Sequence, residues 1–151
     1  MPVIVVGADT ELGHAIVPAL RPASGEIRLF ASDEDAVSGY RAFTKVAIGD
    51  VSDGSHVGAA AIGAFCAVVI AAAAHDERER SFAPTSEDVF AQWADGLGDA
   101  GITRVIVIGS PDEIPDPTGF ESLDAELIRI DTHDQRIESV VSEVLAAEAA
   151  R

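Results

Sequence analysis

Residues 3–13 read Val3-Ile4-Val5-Val6-Gly7-Ala8-Asp9-Thr10-Glu11-Leu12-Gly13, and this stretch decides the fold. Four β-branched residues end at Gly7, and apolar residues then recur at positions 12, 15, 16, 19 and 20, which is the spacing of one helix face. The pattern predicts a buried strand, a tight turn and a helix, and Pro18 is expected to kink or shorten that helix.

The same alternation of apolar runs and amphipathic stretches continues to the end of the chain. Further strands are predicted at residues 27–31, 45–48, 67–71 and 104–108, with a sixth, edge strand at 127–130. Helices are predicted at residues 57–62, at 86–100 with Ser86 as the N-cap, and at 132–149. Strands that are apolar throughout and separated by helices indicate a parallel sheet covered on both faces. We therefore expect an α/β fold, a doubly wound Rossmann-like parallel sheet of five or six strands, with residues 1–151 as one domain.

The composition limits the classes of partner. The chain has 26 acidic and 10 basic residues, a net charge of −16, and such a surface repels nucleic acid and anionic membranes. A phosphate site would therefore use backbone amides and a helix N-terminus rather than a basic patch. The single cysteine, Cys66, lies in an apolar run and is expected to be a core residue of a reducing compartment. We expect a soluble, cytoplasmic protein, because no basic leader is present and the longest apolar run, residues 64–74, is shorter than the roughly 20 residues of a membrane span.

The turn after the first strand is the first candidate site, because ligands of doubly wound sheets bind at the carboxyl ends of the strands. A dinucleotide site there needs a tight turn, close approach of the backbone to the pyrophosphate, and close packing of helix on strand. Gly7 is suited to the turn and Gly13 to the packing. Thr10 stands where a third glycine is usual, so its side chain would either crowd the phosphate or donate a hydrogen bond to it. A turn that binds no ligand is the alternative.

Four segments, in order, resemble the extended and atypical short-chain dehydrogenase/reductases, including NmrA-like proteins. Residues 5–17 resemble their opening turn, which commonly reads Gly-Ala-Thr-Gly-x-x-Gly, and residues 49–53 resemble the motif after strand three. Residues 67–73 resemble strand four, and residues 100–110 resemble strand five with its terminal serine. The resemblance implies a bound NAD(P), with Asp50 against the adenine ring and small residues of strand four beneath the cofactor. The implied cofactor-binding residues are Gly7, Asp9, Thr10, Glu11, Leu12, Gly13, Asp50, Val51, Ala72 and Ala73.

The second candidate site is the acidic turn after strand two, which reads Ser32-Asp33-Glu34-Asp35. An acid there binds the ribose 2′-hydroxyl of NAD, whereas an arginine favours the 2′-phosphate of NADP. In the NmrA-like pattern the NADP-selecting arginine aligns near Ser32. Because this turn carries three acids and no base, we expect NAD rather than NADP, with Ser32 and Asp33 at the ribose. The alternative is that these acids are solvated loop and capping residues.

The catalytic pair implied by the resemblance, a tyrosine with a lysine four positions later after strand five, is absent. Tyr40 and Lys45 are the only residues of their types, and both come before or at strand three. Ser110 matches the serine of the family by position, but no base in the sequence accompanies it. His75, after strand four, is the candidate proton donor, since histidine has a reference pKa of about 6.5. In the same charged run, 75–80, Arg78 or Arg80 could bind an anion, and the alternative is that the run is a solvated loop. No metal site is expected because no ligand spacing is present.

Three functions remain open. The first is a dinucleotide-binding protein without standard dehydrogenase catalysis, such as a redox sensor. The second is a small oxidoreductase or epimerase-like enzyme with an unusual proton donor, although only about 40 residues follow strand five to form a substrate pocket. The third is a degenerate Rossmann scaffold that acts through protein contacts. Its last helix carries an apolar stripe that either covers the sheet or forms a homodimer, at positions 137, 140, 141, 144 and 145.

Overall fold

A computed structural model describes residues 1–22 and 25–150, which form six strands and five α-helices. The strands are β1 (Val3–Val6), β2 (Ile27–Ala31), β3 (Lys45–Ile48), β4 (Cys66–Ile70), β5 (Arg104–Gly109) and β6 (Glu126–Asp131). The helices are α1 (Glu11–Leu20), α2 (Glu34–Val37), α3 (Gly54–Ala61), α4 (Ser86–Asp99) and α5 (Ile137–Ala149). Short 3₁₀ turns lie at Ser38–Tyr40, Ala71–Ala74 and Phe120–Ser122.

All six strands form one parallel sheet in the order β3-β2-β1-β4-β5-β6. The direction of this order reverses between β1 and β4, so the connections that leave these two strands pass to opposite faces and open a crevice at the carboxyl edge. The predicted doubly wound, Rossmann-like sheet is confirmed, with six strands and with β6 as an edge strand.

Alternate residues of each strand pack against opposite faces of the sheet, as the pleat of a strand requires. In β1, Ile4 and Val6 lie in the core beneath α3 and α4, whereas Val3 and Val5 lie in the core beneath α1 and α5. Cys66 is buried in the second core as expected, and its burial raises the pKa of the thiol to about 12.

Close approach of α3 to α4 explains the small residues in both helices. A Cβ at Gly58 would lie 2.6 Å from the carbonyl oxygen of Gly96, and a Cβ at Gly96 would collide with the carbonyl of Gly54. Beside this contact the indole of Trp93 is buried and donates from Nε1 to the carbonyl of Val51 at 2.7 Å.

The helix ends differ from the predictions for local reasons. Thr85, and not Ser86, is the N-cap of α4, because Thr85 is extended and its hydroxyl accepts from the amide of Asp88. The last helix begins at Ile137, not at residue 132, because the chain turns first and Asp134 adopts a positive φ of 57°. α1 continues through Pro18 and ends two residues later at Leu20, so the helix stops soon after a residue that has no amide to donate to the carbonyl four positions earlier.

The apolar stripe of α5 faces the sheet except at Ile137, which is 37% exposed. Val140 and Val144 are buried in the core shared with α1, and Val141 and Leu145 are partly buried against it. Within residues 1–22 and 25–150, no helix combines the length and apolar character needed to cross a lipid bilayer.

Candidate cofactor site at the carboxyl edge of the sheet

Two glycines shape the turn between β1 and α1. Gly7 has a φ of 89°, and a Cβ there would lie 3.0 Å from the Cβ of Ala73 and 3.3 Å from that of Ile70. A Cβ at Gly13 would fall within 3.0 Å of the backbone of Ala8, so only glycine lets the helix pack this closely on the turn. Gly7 thus forms the tight turn and Gly13 the close packing, as the sequence predicted, whereas their contact with a cofactor stays a prediction.

Thr10 points into the turn rather than across its opening. The residue is 8% exposed, and its Oγ1 donates to the carbonyl of Gly7 at 2.7 Å and accepts from the amide of Gly13 at 3.0 Å. Thr10 is therefore the N-cap of α1. The capping uses the amide of Gly13, but the amides of Glu11 and Leu12 donate to no other residue in the part of the chain that the structure describes. Two donors at a helix N-terminus are thus available to a ligand.

The carboxylate of Asp9 joins three segments of the site. Its Oδ2 accepts from the backbone amides of Ser32 at 2.9 Å and Asp33 at 3.1 Å, and its Oδ1 accepts from Nη1 of Arg78 at 2.8 Å. The side chain of Asp9 is only 4% exposed. Asp9 therefore binds the turn after β2 to the turn after β1, and the carboxyl group of Asp33 is free to cap α2 through the amides of Asp35 and Ala36.

Arg78 brings a positive charge to the acidic second turn. It donates to Oγ of Ser32 at 3.3 Å, and from Nε and Nη2 it holds both carboxylate oxygens of Asp76 at 2.7 Å. Burial disfavours the charged guanidinium, but hydrogen bonds to Asp76 and Asp9 outweigh it and raise the pKa of Arg78 above its ordinary value. The turn after β2 has no base in its own sequence, so none was predicted there. The fold brings Arg78 to it from 46 positions after Ser32.

The charged run after β4 is folded onto itself rather than solvated throughout. Arg80 donates to the carboxylate of Asp76 and to the carbonyl of Ala73, each at 3.2 Å. Burial raises the pKa of Asp76, but hydrogen bonds from Arg78 and Arg80 more than offset this and hold that pKa below its ordinary value. Asp76 is thus the anionic centre that positions both arginines.

Asp50 fixes the loop that leads to α4. Its Oδ1 accepts from the amide and hydroxyl of Ser52 at 2.9 and 2.6 Å, and its Oδ2 accepts from the amide of Ser81 at 2.7 Å. Burial opposes ionisation, but these hydrogen bonds lower the pKa of Asp50 below its ordinary value. The side chains of Val51 and Ala73 are fully buried and that of Ala72 is partly buried, so a cofactor would meet Val51 and Ala73 mainly through their backbones.

Ser110 has an acidic partner that the sequence analysis missed. Oε1 of Glu113 accepts from the amide of Ser110 at 3.0 Å and lies 3.4 Å from its hydroxyl. Nε2 of His75 lies 2.6 Å from the carbonyl oxygen of Glu113, and because a carbonyl only accepts, this nitrogen carries the proton. The fold thus gathers Ser110, Glu113 and His75 where β4 and β5 end. The only sequence signal for Glu113 was its place in a Pro- and Asp-rich loop.

A cavity of about 360 Å³ continues from this cluster across the ends of β5 and β6. Gly109, Pro111 and Ile114 form its apolar side, and Asp116, Arg129 and Asp131 supply charged groups. The only tyrosine and lysine of the chain lie away from this cluster. The hydroxyl of Tyr40 lies 2.8 Å from Nδ1 of His14, and Lys45 pairs with Glu26 at the amino end of the sheet.

Residues 7–142 match the model of a family described as NAD(P)H-binding, so the match covers every candidate residue of the site. The chain belongs to this NAD(P)H-binding family. The resemblance to NAD(P)-binding Rossmann proteins of the short-chain dehydrogenase/reductase type is thereby confirmed, and a nicotinamide dinucleotide is the ligand of the family. Among curated proteins, none matches this sequence.

Solved structures share the fold of this NAD(P)H-binding chain at low identity. ChuY, an anaerobilin reductase from Escherichia coli O157:H7, has a TM-score of 0.72 at 15% identity over 99% of this chain and 91% of its own. A wide-type short-chain dehydrogenase/reductase from Veillonella parvula, in complex with NADP, has a TM-score of 0.71 at 12% identity over 99% of this chain and 88% of its own. The NADPH-dependent quinone oxidoreductase QOR2 of Escherichia coli, in complex with NADPH, has a TM-score of 0.59 at 14% identity, and this chain covers 45% of it. This chain covers 34% of a second structure of that enzyme, so it spans less than half the length of the quinone oxidoreductase.

Proposed function

We propose that this chain binds a nicotinamide dinucleotide, NADH in preference to NADPH, with the pyrophosphate at the start of α1. The observation that carries the proposal is the pair of amides at Glu11 and Leu12, which have no acceptor within the described residues and follow the tight turn at Gly7. Amides at a helix N-terminus lie at the positive end of the helix dipole and bind phosphate without a basic side chain. This suits a chain with a net charge of −16.

The topology supports an orientation for the bound cofactor. Ligands of doubly wound sheets bind where the strand order reverses, which is the crevice between β1 and β4. From there the adenosine would extend towards the second turn, where Asp9 holds the amides of Ser32 and Asp33. The nicotinamide would extend towards the end of β5, where Ser110 and Glu113 lie.

The variant Glu11→Pro tests the proposal by removing one amide donor. Proline is favoured at the first position of a helix, and Thr10, which precedes it, has the extended ψ of 167° that a residue before proline adopts. We expect Glu11→Pro to fold normally and to weaken NADH binding by about tenfold or more in calorimetric titration.

Two further variants separate the amide from other effects. Ser86→Pro places proline at the same position of α4, after the extended Thr85, and should leave NADH affinity unchanged. Glu11→Ala keeps the amide and removes a carboxylate near the pyrophosphate, so its affinity should equal or exceed that of the wild type. The proposal is wrong if the wild type releases no heat with millimolar NADH or NADPH, or if Glu11→Pro binds NADH like the wild type.

A second candidate function is reduction of a small substrate. It is favoured by the contact between Ser110 and Glu113 beside the cavity of about 360 Å³, and by the reductases named among the similar structures. In it, the cofactor would supply hydride, while Ser110 or His75 would hold the substrate oxygen and lend the proton.

Turnover of NADH with a quinone, and separately with anaerobilin, tests this activity because NADH oxidation is followed by its absorbance. If Ser110 contacts the reacting atom, Ser110→Ala should lose about 100-fold or more in kcat. Glu138→Gln, on the exposed face of α5, is the control and should keep full turnover. Full turnover by both Ser110→Ala and His75→Ala would exclude these roles.

A further inference from the structure

We infer that Asp9 makes the adenosine end of the site select NADH over NADPH, because its carboxylate occupies the donors that a 2′-phosphate would need. The inference rests on the proposed binding of a dinucleotide at the start of α1. Position 9 lies in the turn between β1 and α1. The ribose-selecting residue is ordinarily found in the turn after β2. The fold nevertheless brings its side chain onto the strand-two turn.

Asp9 accepts hydrogen bonds from three donors at this turn. The amides of Ser32 and Asp33 both donate to Oδ2, and Nη1 of Arg78 donates to Oδ1. Backbone amides and an arginine are the groups that ordinarily bind a phosphate. Here a carboxylate of the protein already has all three hydrogen bonds, and it is 4% exposed.

The local charge also disfavours a 2′-phosphate. The charge of Arg78 is neutralised by Asp9 and Asp76. Three more acids, Asp33, Glu34 and Asp35, follow Ser32 in the turn itself. Arg41, a second base near this turn, is exposed, and its Nη2 lies 3.5 Å from a carboxylate oxygen of Glu34. A phosphate would have to displace a buried carboxylate from its partners and would gain no net positive charge.

A ribose 2′-hydroxyl can bind without displacing the carboxylate of Asp9 from its partners. A carboxylate offers about four lone-pair positions, and three of those on Asp9 are used, so one remains to accept from a neutral hydroxyl. Asp9 thus plays the part of the acid that binds the ribose of NAD in other Rossmann proteins, although it comes from a different turn of the chain.

Equilibrium titration of NADH and NADPH, followed by nicotinamide fluorescence, tests the inference as a ratio of dissociation constants. The wild type should bind NADH at least about tenfold more tightly than NADPH. In Asp9→Thr, which carries the residue that the resembling family commonly has here, and in Asp9→Asn, that preference should fall by about tenfold or more. Adding Arg78→Gln to Asp9→Thr should remove the gain in NADPH affinity, since the freed guanidinium supplies it.

The control is Glu138→Gln, which removes one negative charge from an exposed position of α5, after the edge strand on the far side of the sheet from β2, and should shift the ratio by less than about twofold. Thermal unfolding of each variant shows which of them are folded, and Asp9→Asn keeps the shape of the side chain if Asp9→Thr is unstable. If the wild type binds neither cofactor, the proposed function fails. If it binds NADH but prefers NADPH, or if neither Asp9 variant changes the ratio, this inference fails while the proposed binding of a dinucleotide at the start of α1 stands.

Discussion

Nη1 of Arg78 lies 2.8 Å from Oδ1 of Asp9, although the two residues are 69 positions apart in the chain. Their side chains are 11% and 4% exposed, so the pair is largely withdrawn from water. Removing one partner of such a pair leaves the other as an uncompensated buried charge. The pair links the loop after β4 to the turn between β1 and α1.

Arg78→Gln should lower the free energy of unfolding by about 3–5 kcal/mol, because the buried carboxylate of Asp9 loses its cation and Asp76 keeps only Arg80. Urea unfolding followed by circular dichroism measures the change. Arg41→Gln is the matched control, since Arg41 pairs with Glu34 at 3.5 Å on the surface and should contribute at most about 1 kcal/mol. Equal losses in the two variants would show that the Asp9–Arg78 pair is no more stabilising than a surface contact.

Glu121 is expected to make stability depend on acid pH. Its burial opposes ionisation, but hydrogen bonds from Thr118 and Gly119 lower the pKa of Glu121 from 4.5 to about 2. A lowered folded-state pKa stabilises the protein above pH 4.5, and this contribution is lost as the pH falls from 4.5 towards 2. Glu121→Gln should therefore be less stable than the wild type at pH 6, and the difference should shrink as the pH approaches 2.

Urea unfolding at a series of pH values checks this dependence. Glu138→Gln, at an exposed position of α5, serves as the control and should show no such convergence with the wild type. A gap between Glu121→Gln and the wild type that stays constant from pH 6 to pH 2 would contradict the assignment.

Gly96→Ala should destabilise the contact between α3 and α4. The added methyl group would collide with the carbonyl oxygen of Gly54, and backbone atoms on both sides leave no flexible side chain to give way. Overpacking of this kind costs about 1–3 kcal/mol. Gly39→Ala is the control, because nothing lies within 4 Å of a Cβ there, and its melting temperature should stay within a few degrees of the wild type. Equal melting temperatures would show that α4 can shift away from α3.

The sheet was predictable because its strands are short apolar runs with clear ends, and such runs form buried parallel strands. Each strand bound lies within one residue of the sequence prediction. Helix starts were less predictable, because they depend on capping contacts. Asp53 caps α3 by accepting from the amide of His56, so the helix begins at Gly54, three residues before the first apolar position that marked it. The start of α5 depends on a turn at Asp134 that hydrophobic spacing does not report.

The candidate site was predictable where it depends on the local chain and not where it depends on contacts between distant segments. Gly7 and Gly13 were identified because turn geometry and close packing restrict a position to glycine. Arg78 was identified only as one of two arginines in a charged run that could bind an anion, since nothing in the sequence places it beside Ser32. Glu113 was missed for the same reason, because it meets Ser110 and His75 only after the loop has folded back.

Substitutions at Thr10 test how its side chain affects the binding of a phosphate, which the sequence left open between crowding and hydrogen bonding. Because its hydroxyl caps α1 by accepting from the amide of Gly13, removing the hydroxyl should free that amide as a third donor for the pyrophosphate. We expect Thr10→Ala to bind NADH up to about tenfold more tightly, yet to lose about 1 kcal/mol of stability through the missing cap. Thr10→Gly should show the same gain with a loss of only a few tenths of a kcal/mol, because glycine is tolerated at an N-cap.

Thr10→Ser is the control, since it keeps the hydroxyl and should match the wild type in both NADH affinity and free energy of unfolding. Calorimetric titration and urea unfolding of the three variants measure these quantities. If Thr10→Ala and Thr10→Gly bind NADH more weakly than Thr10→Ser does, the hydroxyl itself must turn from the carbonyl of Gly7 to contact the phosphate. That result would replace the capping role by a direct one, because a freed amide at Gly13 cannot weaken the binding of an anion.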